Sequence, residues 1–290
     1  MHCVSMVCGS LKKNRPVEKR AVRVLGKWRI VVPQSKFESS YLKVERAEEI
    51  IDEIISLLSS SPPFLYVLET DLGSFQRATL AKKNGNALAK LVVRCGELFH
   101  NLRSAIDQAY YEMVSPVTPE GKEKSIQFPF SKDEVALDKT IKSRQAENAG
   151  PAFVAAIKQL KPYSSTGGNM FLTLLHEVNV TDKHKFPAPA GNFSRIDSAT
   201  IQEQVLDFPG GITNGGAGMC AKDVVWRSQL FNTKDIGEQV PPFMNLYHKV
   251  LDLPVEVWFY LASPSYSGEI VSTMRELVSE TKKALIAMDV

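Results

Sequence analysis

Apolar residues recur along the first half of the chain at three-, four- and seven-residue intervals, the signature of helices that bury one face. Phe37, Tyr41, Val44, Ile51, Ile54 and Leu58 form one such stripe, and Ser59-Ser60-Ser61-Pro62-Pro63 ends it. Ser35-Lys36-Phe37-Glu38 has the form of a capping box, in which the serine hydroxyl and the glutamate carboxylate satisfy free backbone amides at a helix start. Two runs rich in aromatic and β-branched residues follow, FLYVLET and FQRATLAK; the turn residues Asp71-Leu72-Gly73-Ser74 between them predict a hairpin. Lys83-Asn84-Gly85-Asn86 then breaks the chain before the longest pattern. There Leu88, Leu91, Cys95, Leu98, Leu102, Ala105, Ala109 and Met113 predict a helix over 87–114, closed by Pro116, at the centre of the fold.

After a polar loop and the apolar Phe128-Pro129-Phe130, helical spacing returns over 132–147, 151–160 and 168–184. Beyond Pro187 and Pro189 the period shortens: ATIQEQVLDF, DVVWRSQLF and VEVWFYLA read as strands, with glycine- and proline-rich breaks between them. Ile270, Met274, Leu277, Val278 and Leu285 mark a closing helix over 268–287. Helices, then strands, then one helix predict the α+β class: a helical core with a central long helix, plus an antiparallel sheet and a C-terminal helix. The expected organisation is a disordered basic tail over 1–33 and a single α+β domain over 34–290. That domain has a helical part at 34–186, a strand-rich part at 195–263 and the helix at 268–287. No internal repeat is visible.

Composition adds limits. The 290 residues are 44% hydrophobic and 23% charged, ordinary for a globular protein. No segment reaches the roughly 18 to 20 apolar residues of a membrane helix, so a soluble chain is expected. The net charge of +3 is unevenly placed: residues 1–30 hold Lys12, Lys13, Arg15, Lys19, Arg20, Arg23, Lys27 and Arg29 against Glu18 alone, a head of +7 that leaves −4 for the rest. A mildly acidic body does not favour binding nucleic acid over the whole domain, whereas the head has the charge to touch RNA or an anionic membrane. The opening MHCVSMVCGS carries its charges after the apolar run and is no secretory signal. Cys3, Cys8, Cys95 and Cys220 show no C-x-x-C spacing, which speaks against a disulfide framework or zinc ribbon and fits a reducing cytoplasm.

The chemistry concentrates on the polar side of the central helix. Glu97, His100, Asn101, Arg103, Ser104, Asp107, Gln108 and Tyr111 fall on one continuous arc of a wheel turning about 100° per residue. A solvated helix face is usually filled with Lys and Glu; short groups that both donate and accept hydrogen bonds suit a face that meets other polar groups or a ligand. Such a face is expected to be at least half buried. Arg103 and Asp107 are four apart and can pair along the helix. His100 and Asp107 lie about 10.5 Å apart along the axis and cannot bond. A second stretch, LLHEVNVTDKHKF at 174–186, carries Asp182 on the apolar stripe of Phe171, Leu174, Leu175 and Val178. A carboxylate on a core stripe needs a partner, with Arg103 or His100 the natural choice. His176, at about 160° from Val178, is expected to be exposed.

HNLRSAID at 100–107 and VNVTDKHK at 178–185 together resemble a widespread bacterial protein family of unknown function with HNLRSALDH-like and LNxxDKHR-like motifs. The likeness runs from about 37 to 186 and more weakly to the last helix. The matching residues are His100, Asn101, Arg103, Asp107, Asn179, Asp182, Lys183 and His184, and the resemblance brings no activity with it. Where the family pattern has a second His, this chain has Gln108. With that His, Arg and four residues would give R-x4-H, the spacing of the HEPN helical ribonucleases, in which Arg and His act on RNA without metal. With Gln108 there, the general acid/base is missing and the likeness to HEPN enzymes is an analogy of spacing.

Two readings stand side by side. In the first, the chain is a non-catalytic binding or accessory module whose polar seam fixes how two helices dock, with Glu97, Asn101, Ser104, Gln108 and Asn179 as the structural network. In the second, it is a HEPN-like RNA-binding or RNA-processing protein, catalytically degenerate at Gln108. Its catalytic candidates are His100, Arg103, Asp107, Asp182 and His184, and Arg103 and Lys183 hold phosphate. RNA or a small polar ligand is the partner class either seam suits. No cofactor is expected, and no metal, because no pair of ligands has H-E-x-x-H spacing. Ser164-Ser165-Thr166-Gly167-Gly168-Asn169 reads as an N-cap loop rather than an anion site, since it lacks the lysine and spacing of a P-loop.

Overall fold

A computed structural model describes residues 20–24, 27–31, 36–71, 76–182, 189–192, 203, 224–227, 231–232, 245–251, 256–262 and 265–290. Side chains are described chiefly over 36–65, 82–179, 256–259 and 266–290. The architecture is α+β, built round a long central helix as the periodicity predicts. Helix α1 spans Glu38–Ser60, α2 Gly85–Val114, α3 Glu134–Ser143, α4 Pro151–Leu160, α5 Met170–Asp182 and α6 Ile270–Met288. Helix α2 packs against α1, α5 and α6. It starts where the sequence breaks: the Asn84 side chain accepts the Ala87 amide at 3.2 Å, an N-cap that satisfies one orphan donor. It ends at Val114, one residue before a short 3-10 turn that holds Pro116.

The start of α1 differs from expectation. The helix begins at Glu38 with Phe37 at the cap position and no side-chain cap bond; Ser35 lies outside the described residues. Phe37 is fully buried, so burying an aromatic ring beneath the first turn decides where the chain enters the helix. Within the head expected to be loose, β1 (Arg20–Val24) and β2 (Lys27–Val31) pair antiparallel, Arg20 opposite Val31. Val22, Val24, Trp28 and Ile30 there have the β preference that the charge count obscured.

The predicted hairpin is present as β3 (Phe64–Asp71) and β4 (Gln76–Lys83), in register from Phe64 opposite Lys83 to Asp71 opposite Gln76. It is not a free-standing ribbon. Strand β8 (Asn245–Leu251) adds to β3, and β6 (Val224–Arg227) and β7 (Phe231–Asn232) add to β4, all antiparallel. The sheet therefore draws its strands from both the helical and the strand-rich stretches of sequence. A second antiparallel sheet has the order β10 (Ser265–Glu269), β9 (Glu256–Ala262), β5 (Ala190–Asn192). Strands β5, β8 and β10 lack the clean alternation that marks a half-buried strand, and the pattern did not reveal them. The expected strand ATIQEQVLDF, at 199–208, lies outside the described residues apart from Glu203, which sits in a turn.

One hydrophobic cluster joins the layers. Leu91, Cys95, Leu98 and Leu102 of α2 meet Ile50 and Ile54 of α1, Leu172 and Leu175 of α5, and Met274, Leu277 and Leu285 of α6. Phe99 of α2 reaches Phe259 of β9, ring centres 5.7 Å apart, and so ties the second sheet to the central helix. Asn169 caps α5, accepting the Leu172 amide while donating to Glu280 of α6 at 2.7 Å. The 164–169 loop is thus a structural cap, as its sequence implies.

Candidate functional site: the Arg103 clasp

Helix α2 buries a wider arc than its first stripe indicates. Phe99, Arg103, Ile106, Tyr110 and Val114 follow one another at helical spacing and all are buried. Arg103 sits within this second stripe, 9% exposed. Its guanidinium is held on every side. Nε and Nη2 donate to the two carboxylate oxygens of Asp107 at 2.8 and 3.0 Å, a bidentate fork across one helical turn. Nη1 lies 3.2 Å from Nδ1 of His176 on α5. The flat face lies over the Phe130 ring, 4.2 Å from its centre, in a cation–π contact.

Two further contacts lock the partners. The Phe128 amide donates to Asp107 Oδ1 at 3.1 Å, so one carboxylate accepts from its own helix and from the 128–130 segment. His176 stacks on Phe130, ring centres 4.6 Å apart and planes 3° from parallel. An arginine is always a donor, so Nδ1 of His176 accepts and the neutral ring carries its proton on Nε2. Burial, reinforced by the charges of Arg103 and Arg144, pushes the His176 pKa down to about 4, Asp107 pulling the other way. The ring is therefore uncharged at neutral pH. Burial likewise lowers the Arg103 pKa against the pull of Asp107. Beneath the clasp, Tyr110 packs against Phe128 and Phe153 and donates its hydroxyl to the Arg144 carbonyl at 2.9 Å.

The rest of the expected seam is divided. Glu97 faces α1, not α5: Arg46 donates to Glu97 and Glu53, and Arg94 meets both from the other side, at 2.7 to 2.9 Å. This closed ring of two arginines and two glutamates is about one-third exposed at three members and 42% at Arg94. Burial opposes the Glu97 charge, but hydrogen bonds from Arg46 and Arg94 prevail and hold its pKa low. Asn101 turns back to the Glu97 carbonyl at 2.9 Å, and Gln108 donates to Ser39 of α1 at 2.7 Å. His100 is exposed and, among the described residues, meets Ser104 at 3.4 Å, and Tyr111 also faces outward. His100 is thus not gathered with Arg103, since a side chain on the outward arc points to water; its expected partnership with Asp182 falls on a side chain outside the described residues.

His176 corrects the opposite way. Expected to be exposed, it is half-buried, because Phe130 covers the side of α5 turned away from that helix's main stripe. Asn179 is half-buried on α5 and, among the described residues, makes no hydrogen bond to the clasp. The backbone of Asp182 ends α5, while its side chain and all of Lys183 and His184 lie outside the described residues. Among the described residues no three His, Cys, Asp or Glu side chains gather as a metal site, and no helix is long and apolar enough to cross a membrane. No family model, curated protein or solved structure matches the chain.

Proposed function

We propose that this chain is a non-catalytic binding or accessory module of the bacterial cytoplasm, of the family its HNLRSAID and VNVTDKHK motifs suggest, and that the Arg103 clasp is its docking joint. The observation that carries this reading is the enclosure of Arg103: a buried guanidinium forked on Asp107, capped by His176 and laid on Phe130. A phosphate-binding arginine needs its fork turned toward a ligand, and this fork is turned toward Asp107. A general acid/base needs a pKa near the working pH, and the one histidine in the clasp is held far below it. The HEPN-like alternative places Gln108 at the histidine position, and that side chain is spent on Ser39.

The test is Arg103→Ala, read by urea unfolding and by RNA binding in parallel. The expected outcome is a loss of roughly 2–4 kcal/mol of stability, because the change deletes a buried side chain together with its fork on Asp107 and its plate over Phe130. A variant as stable as the parent that has lost RNA binding would replace this reading with the nucleic-acid one.

A further inference from the structure

The outer face shared by α1 and α6 carries a pattern the clasp does not use. The two helices run antiparallel, Glu48 beside Lys282 at 2.7 Å. Between them lies an open groove of about 530 Å³, with Glu48 and Asp52 on the α1 wall, Arg275 and Lys282 on the α6 wall, and Ile51 and Val278 at its floor. Arg275, Ser279, Lys282 and Ile286 follow at four, three and four residues, one stripe of α6. Near one end of this face three large apolar side chains stand open to water: Leu42 (58% exposed) from α1, Ile286 (66%) from α6 and Val290 (59%) just beyond the end of α6.

An acidic wall parallel to a basic wall is self-complementary under one particular symmetry. A two-fold axis running along the groove, parallel to both helices, sets α1 of one copy against α6 of the other at the same height. Glu48 and Asp52 then face the partner copy's basic wall, and Leu42 meets the partner copy's apolar end. Every neighbouring pair of helices in the resulting four-helix layer is antiparallel. An axis across the groove would instead oppose acid to acid and base to base.

We infer that the α1/α6 face is a self-association surface that takes a second copy of this chain in an isologous dimer. The 19-residue α6 makes the face roughly 28 Å long, and two helices side by side make it about 20 Å wide, on the order of 500 Å² per copy. That is near the lower bound for a specific interface. The dimer is therefore concentration-dependent, and salt weakens it because its pairs are exposed.

The test is the mass in solution of the full chain and of two variants, one with a basic α1 wall (Glu48→Lys with Asp52→Lys) and one with an acidic α6 wall (Arg275→Glu with Lys282→Glu). The parent should shift from monomer to dimer with concentration, and each variant alone should weaken by more than roughly tenfold. Mixed in equal amounts, the two variants should form a one-to-one heterodimer, since each then offers the charge the other lacks on both sides of the axis. Ile286→Gln, at an open position outside the ion pairs, should weaken the parent dimer while leaving the unfolding midpoint of dilute, monomeric protein unchanged. A parent that stays monomeric at every concentration, variants that dimerise as the parent does, or a mixture that does not associate would overturn the inference.

Discussion

Helix α2 carries two ion-pair clusters less than two turns apart along its sequence, and they differ in nearly everything but residue type. Around Glu97, two arginines and two glutamates share charge in a ring whose every member is partly exposed. Around Arg103, a single guanidinium is nine-tenths buried and meets a carboxylate, an imidazole and an aromatic face. The first cluster gains little, because water screens each pair and the long side chains lose freedom. The second is costly to break at its buried member, because removing Asp107, itself about one-third exposed, leaves the Arg103 guanidinium desolvated with its fork unpaired. Charge identity does not decide which polar residues matter to the fold. Enclosure does.

The largest expected effect lies at the clasp. Asp107→Ala removes both the fork and the acceptor for the Phe128 amide, leaves an uncompensated buried cation, and should cost roughly 3–4 kcal/mol in denaturant unfolding. His176→Ala should cost about 1–2 kcal/mol, since it deletes one hydrogen bond and the ring stacked on Phe130. The same residue gives the comparison a pH axis. His176 has its folded pKa pushed down to about 4, against about 6.5 in an unfolded chain. Between those values the unfolded state binds the extra proton, so stability is full above about 6.5 and falls as the pH drops toward 4. Unfolding midpoints at pH 7 and pH 4.5 should differ less in His176→Phe than in the parent. The partly exposed ring, with its charge shared over four members, should respond weakly: Arg46→Ala is expected to cost under about 1 kcal/mol, and less in high salt. Smallest of all, Gln108→Ala, which deletes one exposed bond to Ser39, should stay within about 0.5 kcal/mol of the parent. Equal costs at Arg46 and Asp107 would remove the distinction between the two clusters.

Much of this was legible in the sequence, and the failures have a common cause. Helical period and turn chemistry place α2, the break before it, the β3–β4 hairpin and the closing helix, because these are set by residues close together in the chain. The i, i+4 pairing of Arg103 with Asp107 is local in the same way. What periodicity cannot supply is the identity of a distant neighbour. Phe130 arrives from a loop, so His176 reads as exposed until that ring is set on it. Arg46 arrives from α1, so Glu97 reads as part of one seam when it belongs to another contact. The second stripe of α2 was in plain view: Phe99, Ile106 and Tyr110 bracket Arg103 at helical spacing and mark it as an inward-facing cation. Strand β8 escaped because it lacks clean alternation and its place is set by backbone pairing with the distant β3.

The central claim is that the buried Arg103 and its Asp107 fork act as one coupled unit. Its most direct test is a double-mutant cycle in denaturant unfolding, with Arg103→Ala, Asp107→Ala and both together. A coupling above about 1.5 kcal/mol is predicted, the double variant being far less damaged than the two single losses combined. A coupling near zero, with the two losses simply additive, would contradict the account.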